Sequence, residues 1–246
     1  MTSMLLALAL AAAPAVPASV RPDPAALLRD SDRARGGLEK GVTWTLFVES
    51  TDEGVTTRRS MIVRARGTDA LAETLAPPRH TGEVFLFNDR TIWFVKPGFR
   101  RPIAISARQR LQGEASNGDA ASTNYVRDYE GTIVGEDVVN GDPAWKLDLV
   151  ARSKDVTYDR IRYWISKKRR LGVKAEFLTV GGELFKTATL EYGNRVRLPA
   201  GEEIDFVSRM TIRDAMGAGG VTVLSYEAPR ADSHAPSLFN VNNVVR

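Results

Sequence analysis

Asp159-Arg160-Ile161-Arg162-Tyr163-Trp164-Ile165 is followed by a basic turn, then by Val173-Lys174-Ala175-Glu176-Phe177-Leu178, then by Gly181-Gly182-Glu183-Leu184-Phe185-Lys186-Thr187-Ala188-Thr189-Leu190-Glu191-Tyr192. Aromatic and β-branched residues alternate with charged ones along each run. Alternation at period two means strands with one dry face and one wet face. Three such strands joined by short turns form an antiparallel meander, and its dry face has to be covered by something.

The same pattern extends in both directions. Val42 to Thr51 sets Val42, Trp44, Leu46 and Val48 against Thr43, Thr45 and Glu49. The turn Asp52-Glu53-Gly54 leads into Val55 to Arg66, where Met61, Val63 and Ala65 share one face and Arg58, Arg64 and Arg66 the other. Leu71–Ala76, Gly82–Phe87 and Thr91–Val95 come next. Tyr129–Val139, Ala144–Arg152, Glu203–Arg213 and Val221–Glu227 complete about a dozen strands. Asn140-Gly141 and Gly181-Gly182 are turn signals. Ahead of the strands, Asp23-Pro24-Ala25-Ala26-Leu27-Leu28 opens a helix with Asp23 as N-cap and Pro24 at the first helical position, and Gly36-Gly37 ends it. Residues 102 to 122 read as a long loop, with a short helix between Asp119 and Asp128. Ala235 to Asn240 reads as a single helical turn.

The expectation is a mainly β fold: one curved antiparallel sheet in a single domain spanning 19–246. An outer-membrane barrel is the competing use of so many alternating strands. A Lys or Arg facing lipid costs about 2–4 kcal/mol at mid-membrane, which disfavours the Arg58, Arg64 and Arg66 face as a lipid surface. The helical start and the lack of an aromatic terminal strand also favour a soluble sheet.

Residues 1–18 carry no charged side chain. The apolar stretch Leu5–Ala13 is too short to span a bilayer, and Ala13-Pro14-Ala15 or Val16-Pro17-Ala18 offers a cleavage site. A cleaved signal peptide is therefore expected, and with it a periplasmic address. The chain has no cysteine, so disulfides, thiolate catalysis and lipidation at a cysteine are all excluded. Its formal charge is +4, a balance that suits anionic lipid or an acidic partner. Nucleic acid is not an expected target of an exported protein.

No nucleophile motif, metal-ligand spacing or phosphate-cradling loop occurs, and His80 and His234 lie in separate loops. Asp148, Asp155 and Asp159 read as residues of the wet face or of turns. No catalytic role or cofactor is expected. Trp44, Trp93, Trp145 and Trp164 sit in four different strands, either as ordinary core residues or as the lining of an apolar cavity.

Several segments carry a family resemblance. They are Pro77-Pro78-Arg79-His80-Thr81-Gly82, Thr91-Ile92-Trp93-Phe94-Val95-Lys96-Pro97-Gly98, Ile103-Ala104-Ile105-Ser106, Trp145-Lys146-Leu147-Asp148-Leu149, Tyr158–Ile165, Gly182–Thr187, Leu198-Pro199 and Pro236-Ser237-Leu238-Phe239-Asn240. In this order and spacing they resemble the LolA-like outer membrane lipoprotein-sorting proteins. The resemblance implies a half-open β-barrel of about eleven strands with a small helical lid. It also implies a concave face that holds the acyl chains of lipoproteins or lipids.

Under that reading the cavity is lined by Trp44, Leu46, Met61, Val63, Leu86, Phe94, Trp145, Leu147, Phe177, Phe206 and Met210, taking the apolar parity of each strand. Arg100, Arg101, Lys167, Lys168, Arg169 and Arg170 form two basic loops, either solvated turns or docking points for a membrane or partner. The implied partners are an inner-membrane exporter of RND or ABC type and an outer-membrane acceptor. The expected role is a periplasmic carrier. An RseB-like envelope sensor is the alternative, and an enzyme acting on envelope lipid is a more remote one.

Overall fold

The computed structural model describes residues 21–244 apart from Asp89, Ser122, Thr123 and Ala218, so the expected signal segment lies outside the described residues. The chain begins with helix α1 (Pro24–Arg33). The Asp23 carboxylate accepts from the amides of Ala25 (3.0 Å) and Ala26 (3.2 Å), satisfying donors that a helix start leaves unpaired. Strands β1 (Val42–Asp52), β2 (Val55–Arg66), β3 (Asp69–Ala76), β4 (Val84–Asn88), β5 (Thr91–Val95) and β6 (Ile103–Ile105) run as a meander. Strands β7 (Arg110–Gln112) and β8 (Ala115–Ser116), a 3-10 turn (Asn117–Asp119) and helix α2 (Tyr125–Asp128) come after them. A second meander comprises β9 (Tyr129–Val139), β10 (Asp142–Ala151), β11 (Arg160–Ser166), β12 (Gly172–Leu178) and β13 (Leu184–Glu191). The chain closes with β14 (Asn194–Arg197), β15 (Glu203–Phe206), β16 (Arg209–Asp214), β17 (Val221–Ala231), a 3-10 turn (Pro236–Phe239) and helix α3 (Val241–Val244).

Thirteen strands form one antiparallel sheet in the order β6-β5-β4-β3-β2-β1-β17-β16-β13-β12-β11-β10-β9. The two meanders occupy the flanks, and β16–β17 join them in the middle. Strands β6 and β9 remain edges, so the sheet is curved but not closed, and no barrel forms. Its tight hairpins obey local chemistry. Asp52 pairs with Val55 across Glu53-Gly54, and Val139 with Asp142 across Asn140-Gly141. All four turn residues have positive φ, as two-residue turns that match strand twist require.

The meander over 159–192 forms as expected, with Tyr163 opposite Ala175 and Ala175 opposite Ala188 on one face. Glu203–Arg213 does not form one strand. The chain leaves the ladder at Val207, whose amide bonds the Ala34 carbonyl (3.0 Å), and Ser208 turns back to Glu191 (2.8 Å). Phe206 and Val207 are both buried, which breaks the period-two pattern where the strand receives the end of α1. Its first half pairs instead with β14 as a separate ribbon.

The segment 102–128 also departs from the expected loop. Ile103–Ile105 adds the edge strand β6, and much of the chain beyond that strand is buried: Ala115, Ser116, Asn117, Asp119, Ala120, Ala121 and Tyr125. Its small residues let backbone lie directly on the sheet. A Cβ at Gly113 would overlap the hydroxyls of Ser50 and Thr222, and one at Gly118 the hydroxyl of Thr157.

Candidate functional site: the covered inner face

One face of the sheet carries a single large apolar cluster, and α1 and the 107–128 segment lie over it. Trp44, Leu46, Met61, Val63, Leu147, Phe177, Phe206 and Met210 all belong to it, each no more than 1% exposed. Trp44 packs on Phe206 (centroids 5.6 Å apart) and Tyr226 (6.3 Å). Phe177 stacks on Tyr158 at 3.8 Å. Phe94 and Trp145 are half-buried at the margins of the same cluster, Phe94 against Phe85 at 5.1 Å.

Leu86 is the exception. It lies on the outer face with Leu71 and Phe239 in a separate small cluster, packed by Trp93, Leu238 and Val244. Strand β4 is apolar on both faces because both are covered, so parity alone did not assign it. Phe85 and Phe87 are the β4 residues that face inward.

The four tryptophans do not share a cavity. Trp44 is deep, Trp145 marginal, and Trp93 packs in the outer cluster. Trp164 lies beneath Lys174 (4.2 Å from the ring centroid) and donates to Asp137 (2.9 Å).

Polar contacts tie the cover down. Ser31 on α1 hydrogen-bonds the Tyr163 hydroxyl (2.7 Å) and accepts from the Gly172 amide (3.2 Å). Asp32 accepts from the Val126 amide (2.9 Å), joining α1 to α2. Gln112 donates to the carbonyls of Val48 (3.1 Å) and Thr57 (3.0 Å), and Thr222 accepts from the Glu114 amide (2.8 Å). Asp119 accepts from the Ser116 amide (2.9 Å) and the Tyr158 hydroxyl (2.8 Å).

Burial dominates the two acids under the cover. It pushes Asp32 up from 3.8 to about 7, against the Val126 hydrogen bond and the positive charge of Arg35. Asp119 is raised by burial too, against its hydrogen bonds.

Openings reach the inner face from more than one side. A cleft of about 70 Å³ runs past Asn88, Arg90 and Arg127 to Tyr125, Tyr129, Tyr158 and Arg35. On the β4–β6 side, a pocket of about 480 Å³ lies between Phe85, Phe94, Ile105 and Leu111. Its rim holds Glu83, bonded to His80 (3.0 Å), Lys96 (3.2 Å) and Arg59 (3.5 Å). These partners hold the Glu83 carboxyl below its ordinary range against the effect of burial.

The basic turn is largely committed within the molecule. Arg170 bonds Asp30 of α1 (2.5 Å), and Arg169 bonds Asp205 (3.1 Å) and caps the Tyr192 carbonyl (3.3 Å). Lys167 pairs with Glu136 and sits over the Trp145 ring. Lys168, Arg100 and Arg101 are exposed, and among the described residues no ion pair involves them.

Asp159 is held bidentate by Arg108 (2.7 and 2.6 Å) and Asp148 lies 3.7 Å from Arg162. His234 hydrogen-bonds Thr43 (3.0 Å). Among the described residues no group of acids and histidines is placed to hold a metal ion.

A family model described as "uncharacterized protein" matches residues 66–246, most of the chain. The chain belongs to this family. Three solved structures share its architecture. A LolA superfamily protein of Nitrosomonas europaea is 23% identical with a TM-score of 0.80, over 91% of this chain and 100% of the other. A putative outer membrane lipoprotein-sorting protein domain of Vibrio parahaemolyticus is 20% identical at 0.74, over 89% and 97%. A DUF1329 family protein of Desulfovibrio piger is 19% identical at 0.74, over 91% and 100%. The fold is therefore LolA-like, as the sequence resemblance implied. A search of the curated proteins gives no match. No helix among the described residues is long and apolar enough to cross a membrane.

Proposed function

We propose that the protein is a periplasmic carrier that binds the acyl chains of a lipid or lipoprotein on its inner face and moves them toward the outer membrane. The observation that carries the reading is the mismatch between a continuous dry face on a thirteen-stranded sheet and the thin cover over it. That cover is one three-turn helix and a backbone-rich segment held by side-chain hydrogen bonds. In the closed form the cover occupies the space a chain would take. Loading then means exchanging the α1 and 107–128 contacts for acyl contacts.

The energetics permit this exchange. Burial contributes about 0.8 kcal/mol per methylene, so a sixteen-carbon chain offers up to roughly 12 kcal/mol. Individual hydrogen bonds of the cover contribute net only about 0.5–1.5 kcal/mol each. The Phe85–Phe94 pocket beside the β6 edge gives a chain its entry. The exposed Arg100, Arg101 and Lys168 are available to steer the protein toward anionic headgroups or an acidic partner, such as an RND-type or ABC exporter or an outer-membrane acceptor.

Native mass spectrometry of the protein purified from its own envelope tests the reading. The expected result is a bound species with the mass of an acyl lipid or acylated protein. A bare protein that also fails to bind a fluorescent sixteen-carbon fatty acid would overturn it.

A further inference from the structure

Arg35 lies two residues past the end of α1, is 4% exposed, and lines the Asn88–Arg127 cleft. Neither Nε nor Nη1 has a hydrogen-bond partner, and Nη2 lies 3.6 Å from the Met210 thioether. The Tyr125 ring lies beneath it, 5.4 Å from centroid to Cζ. The hydroxyls of Tyr125, Tyr163 and Tyr226 are close enough to hydrogen-bond the guanidinium, but none is placed to accept from Nε or Nη1. Among the described residues no carboxylate forms an ion pair with it. The nearest acids feel the charge of Arg35 without pairing with it: Asp119 accepts from Ser116 and Tyr158 through Oδ2, and Asp32 accepts from Val126 through Oδ2, its Oδ1 having no partner either. At the mouth, Asp128 is shared between Arg90 (3.2 Å) and Arg127 (2.7 Å).

A guanidinium stays charged at any physiological pH, and burying a charge without a partner is strongly unfavourable. A fold seldom keeps such a group unless a ligand completes it. Two unpaired donors of a planar fork, on a residue that lines a cleft with polar groups at its mouth, match an oxyanion.

We propose that Arg35 is an anion-binding site that receives the phosphate or carboxylate headgroup of an acyl-chain ligand. The chain itself spreads over the Trp44–Phe206 face. This rests on the acyl-binding reading and adds a headgroup class to it. The ligand it selects is an anionic single- or double-chain lipid rather than a neutral one.

The test compares two sixteen-carbon lipids with the same chain, lysophosphatidic acid and monoacylglycerol, on the full protein, with inorganic phosphate as a third arm. The wild type is expected to bind the anionic lipid at least tenfold more tightly than the neutral one. Arg35→Met should abolish that preference while retaining the neutral lipid. Arg35→Met should also raise the melting temperature of the ligand-free protein, since it removes a buried unpaired charge. Equal affinities in the wild type would overturn the headgroup site and leave the acyl reading standing. Binding of neither lipid would overturn both. Stabilisation by inorganic phosphate alone, as strong as by the lipid and lost in Arg35→Met, would keep the anion site but reject a lipid as its source. A lowered melting temperature in Arg35→Met with the lipid preference intact would make Arg35 a structural residue and overturn the proposal.

Discussion

At the scale of single residues, Gly172 decides how the cover meets the sheet. The Tyr163 side chain crosses the next strand to reach Ser31, and it passes over Gly172, where a Cβ would overlap the tyrosine hydroxyl. The Gly172 amide bonds Ser31 and its carbonyl accepts from Tyr192 (2.8 Å), so one residue without a side chain organises three contacts. Gly172→Ala is expected to displace Tyr163 and free Ser31. Overpacking of this kind costs typically about 1–3 kcal/mol. Thermal unfolding should show a melting temperature lower by several degrees, with faster amide exchange in α1. An unchanged melting temperature would mean that Tyr163 has another rotamer available at no cost. The sequence showed the dry parity of Tyr163 but held no sign of Gly172, because its role comes from a neighbour one strand away. Leu86 was hidden for the converse reason: its strand is covered on both faces, so alternation carried no information there.

At the scale of elements, α1 and the 107–128 segment behave as one cover, joined by Asp32 and Val126. The Asp32 carboxyl titrates near 7 in the folded protein against an ordinary 3.8. Between those values the folded state keeps a proton that the unfolded state releases. The contribution of Asp32 to stability therefore falls as pH rises from about 4 to about 7, then levels off. Asp32→Asn retains an acceptor for the Val126 amide and removes the ionisation. Its urea midpoint should vary less between pH 5 and pH 8 than the wild type's, and should exceed it at pH 8. Parallel pH profiles for the two proteins would contradict this origin of the slope.

The Arg170–Asp30 contact belongs to the same element. Its partners are more than 40% exposed, where ion pairs contribute about 0–1 kcal/mol. Arg170→Ala should leave the melting temperature nearly unchanged but increase the on-rate for a fluorescent fatty acid, read by stopped flow, if α1 must lift to admit a chain. An equal on-rate would place entry away from α1. The start of α1 was legible from Asp23-Pro24, since capping chemistry is local. The 107–128 segment was not legible as cover. Its Gly, Ala and Asn residues look like loop composition, and only contact with Thr157, Ser50 and Thr222 shows why small residues are needed there.

At the scale of the whole molecule, the outer edges of β6 and β9 find no partner strand in the sheet, which remains a curved surface with an inside. Most of that inside was readable in the sequence, because apolar alternation in Trp44–Val48, Met61–Ala65 and Ala175–Phe177 survives into the fold. The break at Val207 and the ribbon of β14 and β15 were not, since they depend on where the end of α1 docks. The outer face offers a rival site: a groove of about 1220 Å³ beside Leu71, Val84, Leu238 and Val244. An acyl chain bound there would leave the inner face a plain core. The two possibilities separate in one measurement, photo-crosslinking with a sixteen-carbon fatty acid bearing a diazirine near its end, with peptide mapping of the labelled protein. Binding on the inner face places the labels on the strands of Trp44, Met61, Phe177 and Met210. Labels confined to 236–244 and β3–β5 outer positions such as Leu71 and Val84, or no labelling above background, would contradict it.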